Sequence, residues 1–200
     1  MLIKLGSGSR GTVVYKGSFR GRLVAVKRLD QKLATSTLAK HEVDLLKQAD
    51  HHPNIIRCFY DDANTYFFDI ALELCHGSLF DLIEQNHRTK HPEFSKIAAS
   101  FNKRLALHEI ACGVEHLHSL DILHRNICPK NILISSAGGK SDRYRMVISG
   151  FGHCQQLTIR PTKRASCRLR AVQMAEGPPD GEPPRSSVGT LALRLRKISR

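Results

Sequence analysis

The sequence predicts an α+β fold for this chain of 200 residues, strand-rich at its amino-terminal end and closed by a basic, disordered tail. Three observations carry that expectation. Short β-rich runs broken by glycines fill residues 2–29, apolar residues recur at helical spacing in later segments, and the last 43 residues change composition abruptly. A hydrophobic content of 41% is enough for a packed core.

Taken in order, Thr12 to Tyr15 and Leu23 to Arg28 read as strands of an antiparallel meander. Thr35 to Lys47, with Leu38, Val43, Leu45 and Leu46 among polar residues, reads as one amphipathic helix, ended by the turn-like Asp50-His51-His52-Pro53-Asn54. Ile55 to Tyr60 and Tyr66 to Leu74 follow as strands, Ser78 to Glu84 as a short helix and Lys103 to Ser119 as a longer one. Strands Ile132 to Ser135 and Arg145 to Ile148 flank a Gly/Lys/Ser turn at 137–142. Beyond Leu157 the chain is rich in Arg, Pro, Gly and Ser, with four prolines between Glu176 and Arg185, and no fixed fold is expected there.

The net charge of +13 raises the question of nucleic acid. Residues 1–157 hold 21 Lys/Arg against 15 Asp/Glu, and the final 43 residues hold 10 against 3, so the excess is concentrated in the tail. That tail has no aromatic residue on which a base could stack, which favours a solvated tail over nucleic-acid association. No stretch approaches the length of a membrane span, and residues 1–16 lack the features of a signal peptide. The six cysteines form no C-x-x-C pair. A soluble protein of the reduced cytoplasm is expected.

Gly6-Ser7-Gly8-Ser9-Arg10-Gly11-Thr12-Val13 is a G-x-G-x-x-G-x-V loop, and Thr12 to Tyr15 continues it as strand rather than as the helix that a dinucleotide-binding turn requires. A lone lysine, Lys27, closes the apolar run Val24-Ala25-Val26, either as a strand-end surface residue or as a cation aimed at phosphates. Glu42 in the next helix is either solvated or the partner of that lysine. Downstream come Leu123-His124-Arg125-Asn126-Ile127-Cys128-Pro129-Lys130-Asn131 and Ser149-Gly150-Phe151-Gly152. In this order the motifs resemble the protein kinase family, over residues 1–157. Within it, GTVVYKGSFRGRLVAVKRL, HEVDLL, NIIRCFY and IALELC are most similar to the kinase module of the inositol-requiring enzyme family, the unfolded-protein-response sensors of the endoplasmic reticulum.

The resemblance implies a two-lobed protein-kinase-like fold: a complete small lobe over residues 1–75, an incomplete large lobe over 76–157, and the tail 158–200. It implies that Gly6, Ser7, Gly8, Ser9, Gly11 and Val13 cover the phosphates of ATP or ADP and that Ala25, Lys27 and Glu42 line the same pocket. It also implies a hinge at Glu73, Leu74 and Cys75 whose backbone holds adenine, with Leu72 at the back. Family members carry a lumenal sensor, a membrane span and an endoribonuclease, none of which is expected for this chain. The activation segment and later helices of the large lobe are likewise expected to be missing, as a frameshift, a retained intron, an erroneous gene structure or a truncated paralogue would produce. Apolar surface on the Lys103 to Ser119 helix should then be exposed, with poor stability or reliance on a partner.

Three positions depart from the family pattern. Asn126 stands where the catalytic aspartate belongs, and an amide cannot accept the substrate proton; loss of such a base removes about 10²–10⁴ in rate. Cys128 replaces the lysine of the catalytic loop, and Gly150 replaces the metal-binding aspartate, leaving Asn131 as the one side-chain ligand for Mg²⁺. A pseudokinase is expected, one that binds nucleotide with little or no Mg²⁺ and docks to a related full-length kinase; its protein substrate, if any, is not legible. A serine/threonine kinase with residual activity and a tail that associates with nucleic acid are the alternatives. His116, His118 and His124 read as core histidines rather than metal ligands, His51 and His52 as solvated, and Cys75 as a hinge thiol with no cation near it in sequence.

Overall fold

The computed structural model describes residues 3–8, 11–30, 36–84, 92–137 and 143–157. Ser9, the turn residues 138–142 and the expected tail 158–200 lie outside them. The first lobe is a five-stranded antiparallel sheet of β1 (Ile3–Ser7), β2 (Val13–Phe19), β3 (Arg22–Asp30), β4 (Cys58–Ala63) and β5 (Phe67–Glu73), in the order β1-β2-β3-β5-β4. Arg20 and Gly21, both at positive φ (50° and 76°), form the two-residue turn between β2 and β3, the mirror-image geometry that matches the twist of a hairpin. Helix α1 (Ser36–Ala49) crosses one face of the sheet. Its Ala39 and Val43 pack with Leu29, Phe68 and Ile70, while Leu45, Leu46 and Ala49 join the core of the second lobe. One helix therefore has an apolar stripe wide enough to serve both lobes.

The second lobe comprises β6 (Gly77–Ser78), α2 (Leu79–Glu84), α3 (Pro92–Ser100), α4 (Lys103–Ser119), β7 (Ile122–Leu123), β8 (Ile132–Ser136), β9 (Tyr144–Ile148) and β10 (Gln155–Gln156), with short 3₁₀ turns at Pro129–Asn131 and Phe151–His153. Strands β6, β8 and β9 form one small sheet, and β7 and β10 another. Ser78 and Asp81 cap α2 reciprocally: the Ser78 amide donates to the Asp81 carboxylate (2.8 Å) and the Asp81 amide to the Ser78 hydroxyl (3.2 Å). Asn102 caps α4, its side-chain oxygen accepting the Leu105 amide at 3.1 Å.

Three expectations need correction. Ile55 is not in a strand of the small lobe, because its segment runs beside β9 first: the Ile148 amide donates to the Asn54 carbonyl (2.8 Å) and the Ile56 amide to the Ile148 carbonyl (3.0 Å). The large hydrophobics of α4 are not exposed. Ala106, Ile110 and Leu117 are buried and Leu105, Leu107 and Val114 half-buried, because α4 packs against β9; the exposed large hydrophobics among the described residues are Ile3, Leu5, Leu23, Tyr60 and Tyr66. His52 is half-buried rather than solvated, and stacks on His116 with ring centroids 4.7 Å apart. Helix α3, which sequence reasoning missed, buries Phe94 and Ile97.

Candidate functional site

The candidate site lies where the inner face of the sheet meets the ends of β8 and β9. Side chains alternate between faces of a strand, so register decides what reaches the site. Lys27 lies opposite Val14 on one side and Ile70 on the other, and Ala25 lies opposite Leu72. This is the face that α1 covers. Val13 is opposite Arg28, whose guanidinium grips Asp69 through two nitrogens (2.8 and 2.6 Å) on the other face. The G-x-G-x-x-G-x-V pattern named Val13; the pairing register gives the lysine's face to Val14. Counting two-residue alternation back from Lys27 across the hairpin is the signal that finds it.

The ammonium of Lys27 is ion-paired with the Glu42 carboxylate of α1, and their side chains are only 19% and 10% exposed. The solvated reading of both residues is therefore excluded. Glu42 also abuts the Phe151–His153 turn, since a Cβ placed on Gly152 would lie 3.2 Å from its second oxygen. Burial, and next the charge of Glu42, push the thiol of the neighbouring Cys154 up to about 12. Gly6 and Ser7 end β1, and the Gly8 amide closes the loop on the Thr12 carbonyl at 2.8 Å. Gly11 has φ 71°, a conformation that favours glycine. Ser9 lies outside the described residues.

At the hinge, Glu73 ends β5 with its amide donating to the Arg57 carbonyl (2.9 Å), and its carboxylate faces away from the pocket towards Ser135 and Arg145. The Cys75 thiol donates to the Glu73 carbonyl at 3.8 Å, and burial pushes it up to about 12. Burial thus disfavours its thiolate, the nucleophilic form.

The catalytic-loop segment keeps its scaffold. The His124 ring donates from Nε2 to the Ser149 carbonyl (3.0 Å) and accepts the Asn126 amide at Nδ1 (3.3 Å), and burial holds it down to about 4, so it is neutral. Asn131 Nδ2 donates to the Asn126 carbonyl (2.8 Å). Gly150 sits at φ 83°, and a Cβ there would meet Asn131 Oδ1 at 2.7 Å, so the Asn126 carbonyl, Asn131 and Gly150 are brought together. Cys128 precedes the 3₁₀ turn, and Lys130 does not take the missing lysine's part: its ammonium lies over the Phe80 ring at 4.8 Å.

Protein kinases bind ATP with Mg²⁺ held by an aspartate and an asparagine. The residues here do not fit the metal. Gly150 supplies no carboxylate, Asn131 offers one neutral oxygen, and no group of three or more His, Cys, Asp or Glu converges among the described residues.

Residues 1–171 match the protein kinase domain family. The serine/threonine-protein kinase/endoribonuclease ireA of Aspergillus fumigatus is 44% identical over 157 residues, which are 78% of this chain and 13% of that protein. The sensor for unfolded proteins in the ER ire1 of Schizosaccharomyces pombe is 40% identical over 84% of this chain and 15% of its own length. Human IRE2, another serine/threonine-protein kinase/endoribonuclease, is 38% identical over 84% of this chain and 16% of its own. The chain thus spans 13–16% of the length of these curated relatives. With a family match running through both lobes and the lysine–glutamate pair formed between β3 and α1, the chain belongs to the protein kinase domain family.

Proposed function

We propose that this domain binds ATP or ADP without a metal and has lost phosphoryl transfer, which makes it a pseudokinase. The contrast within one site carries the reading. Lys27 and Glu42 are paired and largely buried, ready to present a cation to phosphates, whereas Asn126, Cys128 and Gly150 offer neither base, cation nor metal ligand. Phosphoryl transfer depends on positioning and on neutralising developing charge, so losses in three roles remove it, while ground-state binding needs only the lysine, the loop amides and the hinge. Asn126 has no carboxylate to take the substrate proton, and the neutral His124 beneath it is occupied at both ring nitrogens.

The test is thermal unfolding of the 200-residue chain with ADP or ATP, each with Mg²⁺ and with EDTA, beside Lys27→Ala. Ligand at a hundred times its Kd contributes about 2.7 kcal/mol, a midpoint rise of about 5–10 °C at this size. The rise should survive EDTA and vanish in Lys27→Ala. A rise that needs Mg²⁺, or one that Lys27→Ala shares, refutes the reading.

Residual serine/threonine kinase activity is the second reading, favoured by Asn131 keeping its bond to the Asn126 carbonyl (2.8 Å). It requires turnover to climb sharply in Asn126→Asp/Gly150→Asp. We propose a cytoplasmic location, in keeping with the free thiols of the five cysteines among the described residues. Its mode of action, on this proposal, is docking to a related full-length kinase, for which exposed Ile3, Leu5 and Leu23 on the sheet offer apolar area. Co-elution with such a kinase, lost in Ile3→Asp/Leu23→Asp, is the corresponding check.

A further inference from the structure

Two chain segments join the lobes near the site, one fastened by its backbone to β9 and the other to β8. One is the loop from α1 to β4, laid beside β9 by the Asn54 and Ile56 backbone bonds and by Asn54 Nδ2 donating to the Met146 carbonyl at 2.9 Å. The other is the hinge, where the His76 amide donates to the Ile134 carbonyl of β8 at 2.8 Å. Arg145 of β9 connects them. Its Nη2 donates to the Glu73 carboxylate at the start of the hinge, its Nη1 to the Pro53 carbonyl in the α1–β4 loop, and its Nε to the Ser136 carbonyl of β8 (3.2 Å). The buried Ser135 hydroxyl donates to the same Glu73 oxygen. Each of the guanidinium's three nitrogens is thus committed to a different segment.

We infer that Arg145 and Glu73 form a clasp that fixes the angle between the lobes and so positions the hinge for its ligand. An interlobe hinge is ordinarily a few residues free to absorb backbone rotation. Here the residue that opens the hinge is held from the side by a planar, multidentate donor, with the Arg145 and Glu73 side chains only 21% and 16% exposed, where water competes weakly. A rotation of the small lobe must either break the pair or drag Pro53 with it. The clasp acts through Glu73 and touches no ligand, so both residues are positioning residues. That the hinge holds a nucleotide rests on the function proposed above; the clasp itself does not.

The experiment compares the full chain with Arg145→Met, Arg145→Lys and Glu73→Gln. Spin labels on unnatural amino acids at exposed Ser18 and Glu115 report the interlobe distance without nucleotide, and hydrogen exchange reports the amides of residues 74–76. Arg145→Met and Glu73→Gln should broaden the distance distribution and speed hinge exchange about tenfold, with β2 and α4 unchanged, and Arg145→Lys should recover part of the effect. Distributions that superimpose on the wild type, or exchange that rises uniformly through the chain, overturn the clasp. Should Arg145→Met fail to fold, the near-isosteric Glu73→Gln decides. A third arm measures the ADP dissociation constant, which should increase in the same order. If the wild type binds no ADP, the functional proposal fails and the distance arm still judges the clasp.

Discussion

The Lys27–Glu42 pair allows a double-mutant cycle whose size follows from its burial. Exposed ion pairs contribute about 0.2–1 kcal/mol, and removing one partner of a buried pair costs about 3–5 kcal/mol. With side chains 19% and 10% exposed, this pair lies between those limits. Lys27→Met leaves a carboxylate packed against the Phe151–His153 turn without its cation, and Glu42→Gln leaves an ammonium under the sheet without its anion; each should cost about 2 kcal/mol. The double variant leaves no orphaned charge, so it should lose about 1–2 kcal/mol less than the sum of the two. Urea denaturation of the four proteins at one pH measures the coupling directly. Additivity within about 0.5 kcal/mol would show that the two charges are independently solvated and would refute the pairing. ADP separates the roles further: it should still stabilise Glu42→Gln, which keeps the cation, and should not stabilise Lys27→Met.

Other expectations follow from particular groups. Burial holds His124 down to about 4 in the folded chain, so the unfolded chain binds the extra proton between there and about 6.5; stability should fall as pH drops through that window, by about 2 kcal/mol between pH 7 and pH 5, and a flat urea midpoint over that range would contradict it. Burial raises the thiols of Cys58, Cys75 and Cys154, so their contribution is intact below about pH 9 and is lost as pH rises beyond it; stability should decline again on the alkaline side. Cys75 should resist iodoacetamide at pH 8 in the folded chain and react once urea unfolds it, as peptide mass mapping would reveal. Gly113→Ala would put a methyl group 3.0 Å from the Asn54 carbonyl and 2.8 Å from Ile148 Cδ1, wedging α4 away from β9; a loss of about 1–3 kcal/mol is expected, and a neutral result would mean that this contact yields freely.

The elements legible in the sequence are those whose signals are local. The α4 bounds follow from apolar residues at helical spacing, and β2 and β3 follow from β-branched runs around a glycine turn. Helix α3 was missed because its buried face needs only Phe94 and Ile97, too few to establish a period. The strand expected from Ile55 failed for a different reason. An apolar pair, Ile55-Ile56, reads the same whether it extends a sheet or lies beside another lobe's strand, and only the tertiary partner, β9, distinguishes the two. At the site, the motif spacing named Lys27 and Glu42, which pair, and Asn126, Asn131 and Gly150, which lie against one another. It misassigned Val13 because a motif counts residues along a loop, whereas the face of a strand is fixed by pairing across the hairpin. Arg145 had no signal at all: an arginine in a strand reads as a surface cation until Glu73, Pro53 and Ser136 are known to surround it.

Why the catalytic positions could change while the fold held is visible in how each is bonded. Asn126 serves the loop through its main chain, donating its amide to His124 and accepting Asn131 at its carbonyl, and neither bond needs a carboxylate on its side chain. Gly150 occupies a left-handed conformation (φ 83°) that strains any other residue, so losing an aspartate there relieves the backbone as it removes the metal ligand. Cys128 stands before a turn whose geometry is set by Pro129 and by the Asn131 amide donating to the Cys128 carbonyl at 2.9 Å. Lys27 and Glu42 differ in kind, because each is the other's counter-charge inside the packing of the small lobe and neither can change alone without leaving a part-buried charge. If transfer chemistry is lost as proposed, retention of the pair is the route of least structural resistance for this fold.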